Sequence, residues 1–136
     1  MSAEIAYPRP PWSWETRPFW EACRRHELVV QRCTACGSFR HRPRAVCPDC
    51  LSSEVDWVPV SGRGTVYTFT VTHQNQAPPF RSALPYVLAY IELEEGVRML
   101  SHVIGCAPEE VRIGMPVSVE FVDVDDEVAV PRFRPT

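Results

Sequence analysis

"RCTACGSFRHRPRAVCPDC", residues 32–50, holds two Cys-x-x-Cys pairs, Cys33/Cys36 and Cys47/Cys50, ten residues apart. Each Cys-x-x-Cys turn can aim two sulfurs at one point, and two such turns at the ends of a short hairpin complete a tetrahedron. Four thiolates at ~2.3 Å fill the coordination shell of one Zn2+ ion, which makes the site closed and structural. Gly37 follows the first pair, where a tight turn needs positive φ. Leu51 follows the second and matches that need less well. A thioredoxin-like dithiol would use one such pair at the start of a helix in a βαβ unit, and no such unit surrounds these cysteines. The hairpin has few apolar residues between its Cys pairs. Burial alone cannot order it, so metal binding of about 10–16 kcal/mol must supply the order. The pattern predicts a rigid plate that displays Arg40, His41, Arg42 and Arg44.

Outward from the cysteines, 136 residues suit one ordinary domain or two small ones, and 45% apolar content is enough for a core. Fourteen prolines argue for ordered loops and extended arms over a helical bundle. No apolar run approaches the roughly 18 residues of a membrane span. "MSAEIAYPRPPWSWE" lacks the basic-then-apolar order of a signal peptide. The expected location is therefore the cytoplasm, where thiols stay reduced and paired cysteines bind metal. All 14 basic residues are arginine and the net charge is −3. Arg24, Arg25, Arg32, Arg40, Arg42 and Arg44 cluster around the cysteines, whereas residues 92–127 are strongly acidic. That asymmetry suits local binding of a phosphate-bearing ligand or an acidic protein surface, and not a chain that coats nucleic acid along its length.

The periodicity predicts three parts: an extended arm and short helix over 1–27, the ribbon over 28–59 and a β barrel over 60–136. "YPRPPWSW" reads as an arm with no core of its own. "TRPFWEACRRHEL" reads as a helix with Thr16 as its cap and Pro18 in its first turn. Phe19, Trp20 and Cys23 share one side of it, either packing on the chain's own core or presented to a partner. "LVVQR" is a short strand. In "GTVYTFTVTH", Tyr67, Phe69 and Val71 alternate with Thr68, Thr70 and Thr72, a half-buried strand. "PYVLAYIEL", "GVRMLSHVIG", "PVSVEFVDV" and "EVAVPRF" supply four more strands, with a short helical turn at "CAPEE" between the third and fourth. Mainly β, with five strands and a helix in that place, is the order of an OB-fold barrel.

The run "PFWE…LVVQRCTACG…PRAVCPDC…SGRGTVYTFTVTH…PYVLAYIELEEGVRMLSHVIGCAPEEVRIGMPVSVEFVD" resembles the DUF35 family of acyl-CoA-associated proteins over residues 18–133. The resemblance implies a helical segment, a rubredoxin-like zinc ribbon and an OB fold in that order. It implies a small partner subunit of a thiolase-fold enzyme, either an acyl-CoA thiolase or a retro-aldol lyase such as those of steroid or fatty-acid side-chain degradation. The implied assembly is a hetero-oligomer such as a heterotetramer, and some members accompany a hot-dog-fold hydratase. The Pro/Trp arm at residues 7–14 departs from the pattern.

Candidates for chemistry are few. His73 ends a strand before a Pro-rich loop. His102, on a strand face, reads as a hydrogen-bonded structural residue, and Cys106 as an inert buried thiol. "SGRGTV" lacks the Lys-Ser/Thr of a phosphate loop and reads as a bend where ribbon enters barrel. Asp123, Asp125, Asp126 and Glu127 read as a solvated turn. A non-catalytic accessory subunit is thus favoured over a single-strand nucleic-acid binder and over a stand-alone CoA-ester enzyme. Against nucleic acid stand the acidic barrel and the expected inward facing of Tyr67 and Phe69. Arg40, Arg42, Arg44 and His73 are the candidates for contact with the phosphates of CoA, and Phe19, Trp20 and Cys23 for contact with the partner.

Overall fold

The computed structural model describes residues 6–136 and is mostly β. Helix α1 is Arg17–Arg24. A three-stranded antiparallel sheet in the order β2-β1-β3 follows, from β1 (Val29–Cys33), β2 (Phe39–Arg40) and β3 (Val55–Pro59). Five strands then close a barrel in the order β4-β5-β6-β8-β7: β4 (Arg63–Thr72), β5 (Tyr86–Leu93), β6 (Arg98–Val103), β7 (Pro116–Asp123) and β8 (Ala129–Pro135). Among the described residues the sole parallel contact is β6 with β8, at Val103 and Phe133. Numbered within the barrel, this is 1-2-3-5-4, the OB arrangement. The expected helical turn between its third and fourth strands is a 3-10 turn at Pro108–Glu110.

Inward positions of the barrel strands follow the two-residue period: Val87, Ala89, Ile91 and Leu93 on β5 are buried, as are Met99, Ser101 and Val103 on β6. On β4 the period breaks. The register slips between Val66 and Thr68, a β-bulge. Val66 points in, Tyr67 is turned out to 45% exposure, and Phe69 and Val71 return to pack on the core. Simple alternation places Tyr67 inside; the extra residue of the bulge moves it out. Gly64, in "SGRGTV", lies so close to β5 that a Cβ would run into the carbonyl of Glu92. That glycine permits a tight strand approach and cradles no phosphate.

The helix is positioned by its ends. Thr16 makes no side-chain cap; its hydroxyl instead accepts the N–H of Ser13 at 3.0 Å. At the other end the N–H of Glu27 donates to Ala22 O and that of His26 to Cys23 O, both at 2.9 Å. His26 holds φ +60, so it fills the left-handed position of a Schellman stop that glycine ordinarily takes. Between these ends Phe19 (5% exposed) and Cys23 (0%) sit in the same core cluster as Leu28, Val30 and the barrel residues Val66, Ile91 and Phe133. The partner-facing reading of Phe19 and Cys23 is therefore corrected, because both are buried in the chain's own core. Trp20 is half-buried and packs against this cluster and a second one.

That second cluster holds the arm, which does have a core. Tyr7 is buried, its ring 6.2 Å from that of Phe80 and 5.5 Å from that of His102. The guanidinium of Arg132 lies 4.1 Å from the Tyr7 ring centroid, a cation–π contact. The Tyr7 hydroxyl and His102 Nδ1 are hydrogen-bonded at 3.0 Å. Two residues on, Arg9 pairs with Glu127 at 2.8 Å and with Asp125 at 3.6 Å. The acidic turn after β7 is thus engaged by the arm rather than only solvated, through exposed pairs that solvent screens.

Burial, and then the positive charge of Arg132, lower the pKa of His102 from 6.5 to about 4. The folded state therefore favours the neutral ring. Stability from this residue is present in full above pH 6.5 and is lost as pH falls toward 4. In denaturant titrations the share of His102 in the loss between pH 7.5 and pH 5 should be on the order of 2 kcal/mol, beside that of His41, which burial also lowers to about 4. The same titrations on His102→Gln should show a shallower slope by that share; an unchanged slope would mean that His102 does not contribute to it.

Candidate metal centre and its surroundings

The ribbon brings all four cysteines together. Strand β1 ends at Cys33, and β3 starts at Val55, directly opposite it in the ladder. Two turns of the same construction carry the ligands. In the first, Gly37 N–H donates to Cys33 O at 2.8 Å and Cys33 N–H to Ser38 O at 2.8 Å. In the second, Leu51 N–H donates to Cys47 O at 2.9 Å and Cys47 N–H to Ser52 O at 2.8 Å. Gly37 has φ +80 and Leu51 has φ +67. Leucine therefore occupies the left-handed position that glycine fills in the first turn, at a local cost of roughly 1–2 kcal/mol.

The sulfurs of Cys33 and Cys50 are 3.5 Å apart, those of Cys36 and Cys47 3.7 Å apart, and all four lie within 4.8 Å of one another. Four ligands ~2.3 Å from a central zinc would stand about 3.8 Å apart at the corners of a tetrahedron, so the donor set fits one zinc. Backbone N–H groups of Cys36 and then Ala35 lower the Cys33 thiol. The hydroxyl and then the N–H of Ser38 lower Cys36 to about 6. The N–H of Ser52 acts the same way on Cys50, but the sulfurs of Cys33, Cys36 and Cys47, with desolvation, outweigh it and raise Cys50 to about 12. The cluster thus favours its first thiolates and opposes its last, which is the charge problem a bound dication removes. Four protein ligands leave no open position, so the zinc is structural and does not activate water.

The arginines do not form one plate. Strand pairing sets Arg40 opposite Gln31, and both side chains are buried, Arg40 at 7% exposure. Its Nε donates to Gln31 Oε1 at 2.8 Å and its Nη2 to Arg44 O at 3.0 Å, while Arg44 N–H shares the same Gln31 oxygen at 2.8 Å. Arg40 therefore holds the loop between the two metal turns and is corrected as a phosphate contact. His41 also turns inward, its ring 5.2 Å from that of Phe19. Burial, then Arg42, lower its pKa to about 4. Arg42 and Arg44 are exposed, and Arg32 lies over the ring of Phe39 at 5.4 Å. His73 is exposed too, but it follows the end of β4 on the barrel and belongs to a different element. Cys106 is raised by desolvation and then by Glu110, which disfavours a reactive thiolate. What the sequence reading missed is the buried pair Gln31–Arg40. Its signal, a Gln two residues before the first cysteine on an otherwise apolar strand, is too weak to have been used.

A closed thiolate tetrad on a three-stranded ribbon, followed by a 1-2-3-5-4 barrel, defines a zinc-ribbon/OB-fold protein. Two family models match it: "ChsH2, rubredoxin-like zinc ribbon domain" over residues 20–56 and "ChsH2, C-terminal OB-fold domain" over residues 57–122. A "DUF35 domain-containing scaffold protein" of Methanocaldococcus jannaschii is 40% identical over 105 residues, 76% of this chain and 73% of that protein. The solved structure of the "Ltp2-ChsH2(DUF35) aldolase" superposes with a TM-score of 0.85 at 40% identity, covering 93% of this chain and 98% of that one. The chain belongs to the DUF35 family. It is also 41% identical over 128 residues, 94% of its length, to the "Probable enoyl-CoA hydratase alpha subunit" of Thermomonospora curvata, of which it spans only 40%.

Two substitutions check the ribbon. Cys47→Ser should remove the zinc, read as metal content per chain, and unfold residues 28–59. A fully folded metal-free protein, or a red iron-containing one, would contradict the assignment. Leu51→Gly relieves the left-handed strain and should leave zinc content unchanged while stabilising the holoprotein by up to about 1 kcal/mol, less the entropy that glycine adds to the unfolded chain.

Proposed function

We propose that this chain is a non-catalytic accessory subunit of a thiolase-fold enzyme, of the thiolase or retro-aldol class, supporting that enzyme's assembly and its hold on acyl-CoA. The observation that carries the reading is the match along nearly the whole DUF35 chain of the Ltp2-ChsH2 aldolase. The closed metal site agrees with it, since a four-thiolate zinc supplies shape and no reacting ligand. The chain's place beside a hydratase is supported by partial matches to hydratase alpha subunits such as the one above, whose remaining length this chain does not contain.

Mixing the chain with the Ltp2 subunit of that aldolase should give a complex in size-exclusion chromatography and turnover of an acyl-CoA substrate that neither protein shows alone. Turnover by this chain alone would overturn the reading.

Arg42 and Arg44 remain the candidates for the nucleotide end of CoA, with His73 and its loop on the route to the acyl end. Arginine can hold phosphate oxygens in a bidentate fork. In the assembled complex, Arg42→Ala and Arg44→Ala should raise KM for a CoA thioester with kcat nearly unchanged. A short thioester without the nucleotide should be unaffected. Equal damage to both substrates, or to neither, would make these arginines an assembly surface or solvated charge.

A further inference from the structure

We propose that the outer face of β4, β5 and β6, built on Tyr67, Tyr90 and Leu100, is the surface on which the thiolase-fold subunit docks. The proposal rests on the accessory-subunit reading and assigns it a place on the chain. Tyr90 and Leu100 face each other directly across the β5–β6 ladder and are 46% and 49% exposed. Tyr67, 45% exposed, joins them only because the β4 bulge turns it out of the barrel. Bulges re-aim side chains in this way, and a large apolar side chain moved from core to solvent loses the stabilisation that burial would give it. Half-exposed Leu88, next to Tyr90 on the same face, extends the patch toward the arm. Contiguous apolar side chains of this size on a sheet face mark a contact surface.

The charges around the patch decide what kind of partner it fits. Arg98 lies 3.9 Å from the Tyr67 ring centroid and also pairs with Glu92 at 2.9 Å. Arg63 pairs with Glu94 at 3.0 Å. Each cation of the face already has a carboxylate, so no uncompensated positive charge is left to hold a phosphate backbone. Single-strand nucleic-acid binders on OB folds need exposed aromatics and a basic groove together, and only the first is present. A neutral patch of tyrosine and leucine with a paired arginine is instead the composition of a protein–protein interface core.

The test measures affinity for the Ltp2 subunit by calorimetry, using the zinc-loaded full chain. Tyr90→Ala and Leu100→Ala should each weaken binding about tenfold or more, and the double variant should weaken it further. Their thermal midpoints and zinc content should match the unmodified chain. Ile113→Ser, at a 69% exposed position on the turn before β7, should bind normally. If the unmodified chain binds and the double variant binds equally well, this face is not the docking surface, while the accessory reading stands. If the unmodified chain does not bind Ltp2, the accessory reading falls and the docking face with it. Tyr90-dependent binding of a labelled oligo-dT would overturn the proposal in favour of nucleic acid.

Discussion

One core joins the parts of this chain, and the rest of the structure depends on it. Phe19 and Cys23 of α1 and Leu28 and Val30 of the ribbon belong to the same buried cluster as Val66, Ile91 and Phe133 of the barrel. Trp57, Val58 and Val60, where ribbon runs into barrel, pack on it from the side. The β4–β7 ladder is short, only three residue pairs from Arg63 to Thr65. Farther along those strands Phe69, Val71, Val119 and Phe121 pack against the shared cluster as well. Three modest pieces, each too small to bury much surface alone, therefore stabilise one another through side chains rather than through a continuous sheet. Because the ribbon needs its metal for order, the metal's contribution extends through Val30 into the barrel core.

That shared core explains which parts of the fold were legible in the sequence. The metal turns were, because Cys spacing is a local signal tied to one geometry. The barrel order was, because five strand-like segments with a single helical turn between the third and fourth admit few arrangements. The side of α1 that carries Phe19 was visible, but its destination was not. A helix pattern shows that a face is apolar and says nothing of whether the chain's own strands or another protein will cover it. Tyr67 was misplaced for a different reason: one extra residue in a strand inverts the alternation, and nothing in "GTVYTFTVTH" marks where the insertion falls. Tyr7 was missed because its partners, Phe80, His102 and Arg132, are scattered over 50 residues of sequence.

The arginines show how far charge patterns can be trusted. Six lie near the cysteines in sequence, yet their environments differ completely. Arg40 is inside, holding Gln31 and the Arg44 carbonyl; Arg25 pairs with Glu27 at 3.5 Å; Arg32 lies over Phe39; Arg42 and Arg44 face solvent. Arg132, far from this cluster, is partly buried. Desolvation lowers its pKa, and its Nε has no hydrogen-bond partner among the described residues. Its compensation is the face of Tyr7, a weakly hydrated guanidinium against an aromatic ring. A charge count along the chain predicts none of this, because strand pairing decides which guanidinium is turned inward.

A structural zinc in such a chain is a device for shape. The tetrad fixes two turns whose backbone bonds are the same, and between them the loop is pinned by Gln31 accepting from both Arg40 and Arg44. The main-chain path of residues 40–44 is therefore set from two sides, by sulfur at its ends and by a buried amide at its middle. Arg42 and Arg44 project from that path with their side chains exposed to solvent. An exposed cation on a fixed main chain suits contact with an anion, whereas the charge-paired face of Tyr67, Tyr90 and Leu100 suits a protein surface. The two faces ask for different partners' chemistry, and one chain of this size can present both only because its helix, ribbon and barrel share a core that holds them in register.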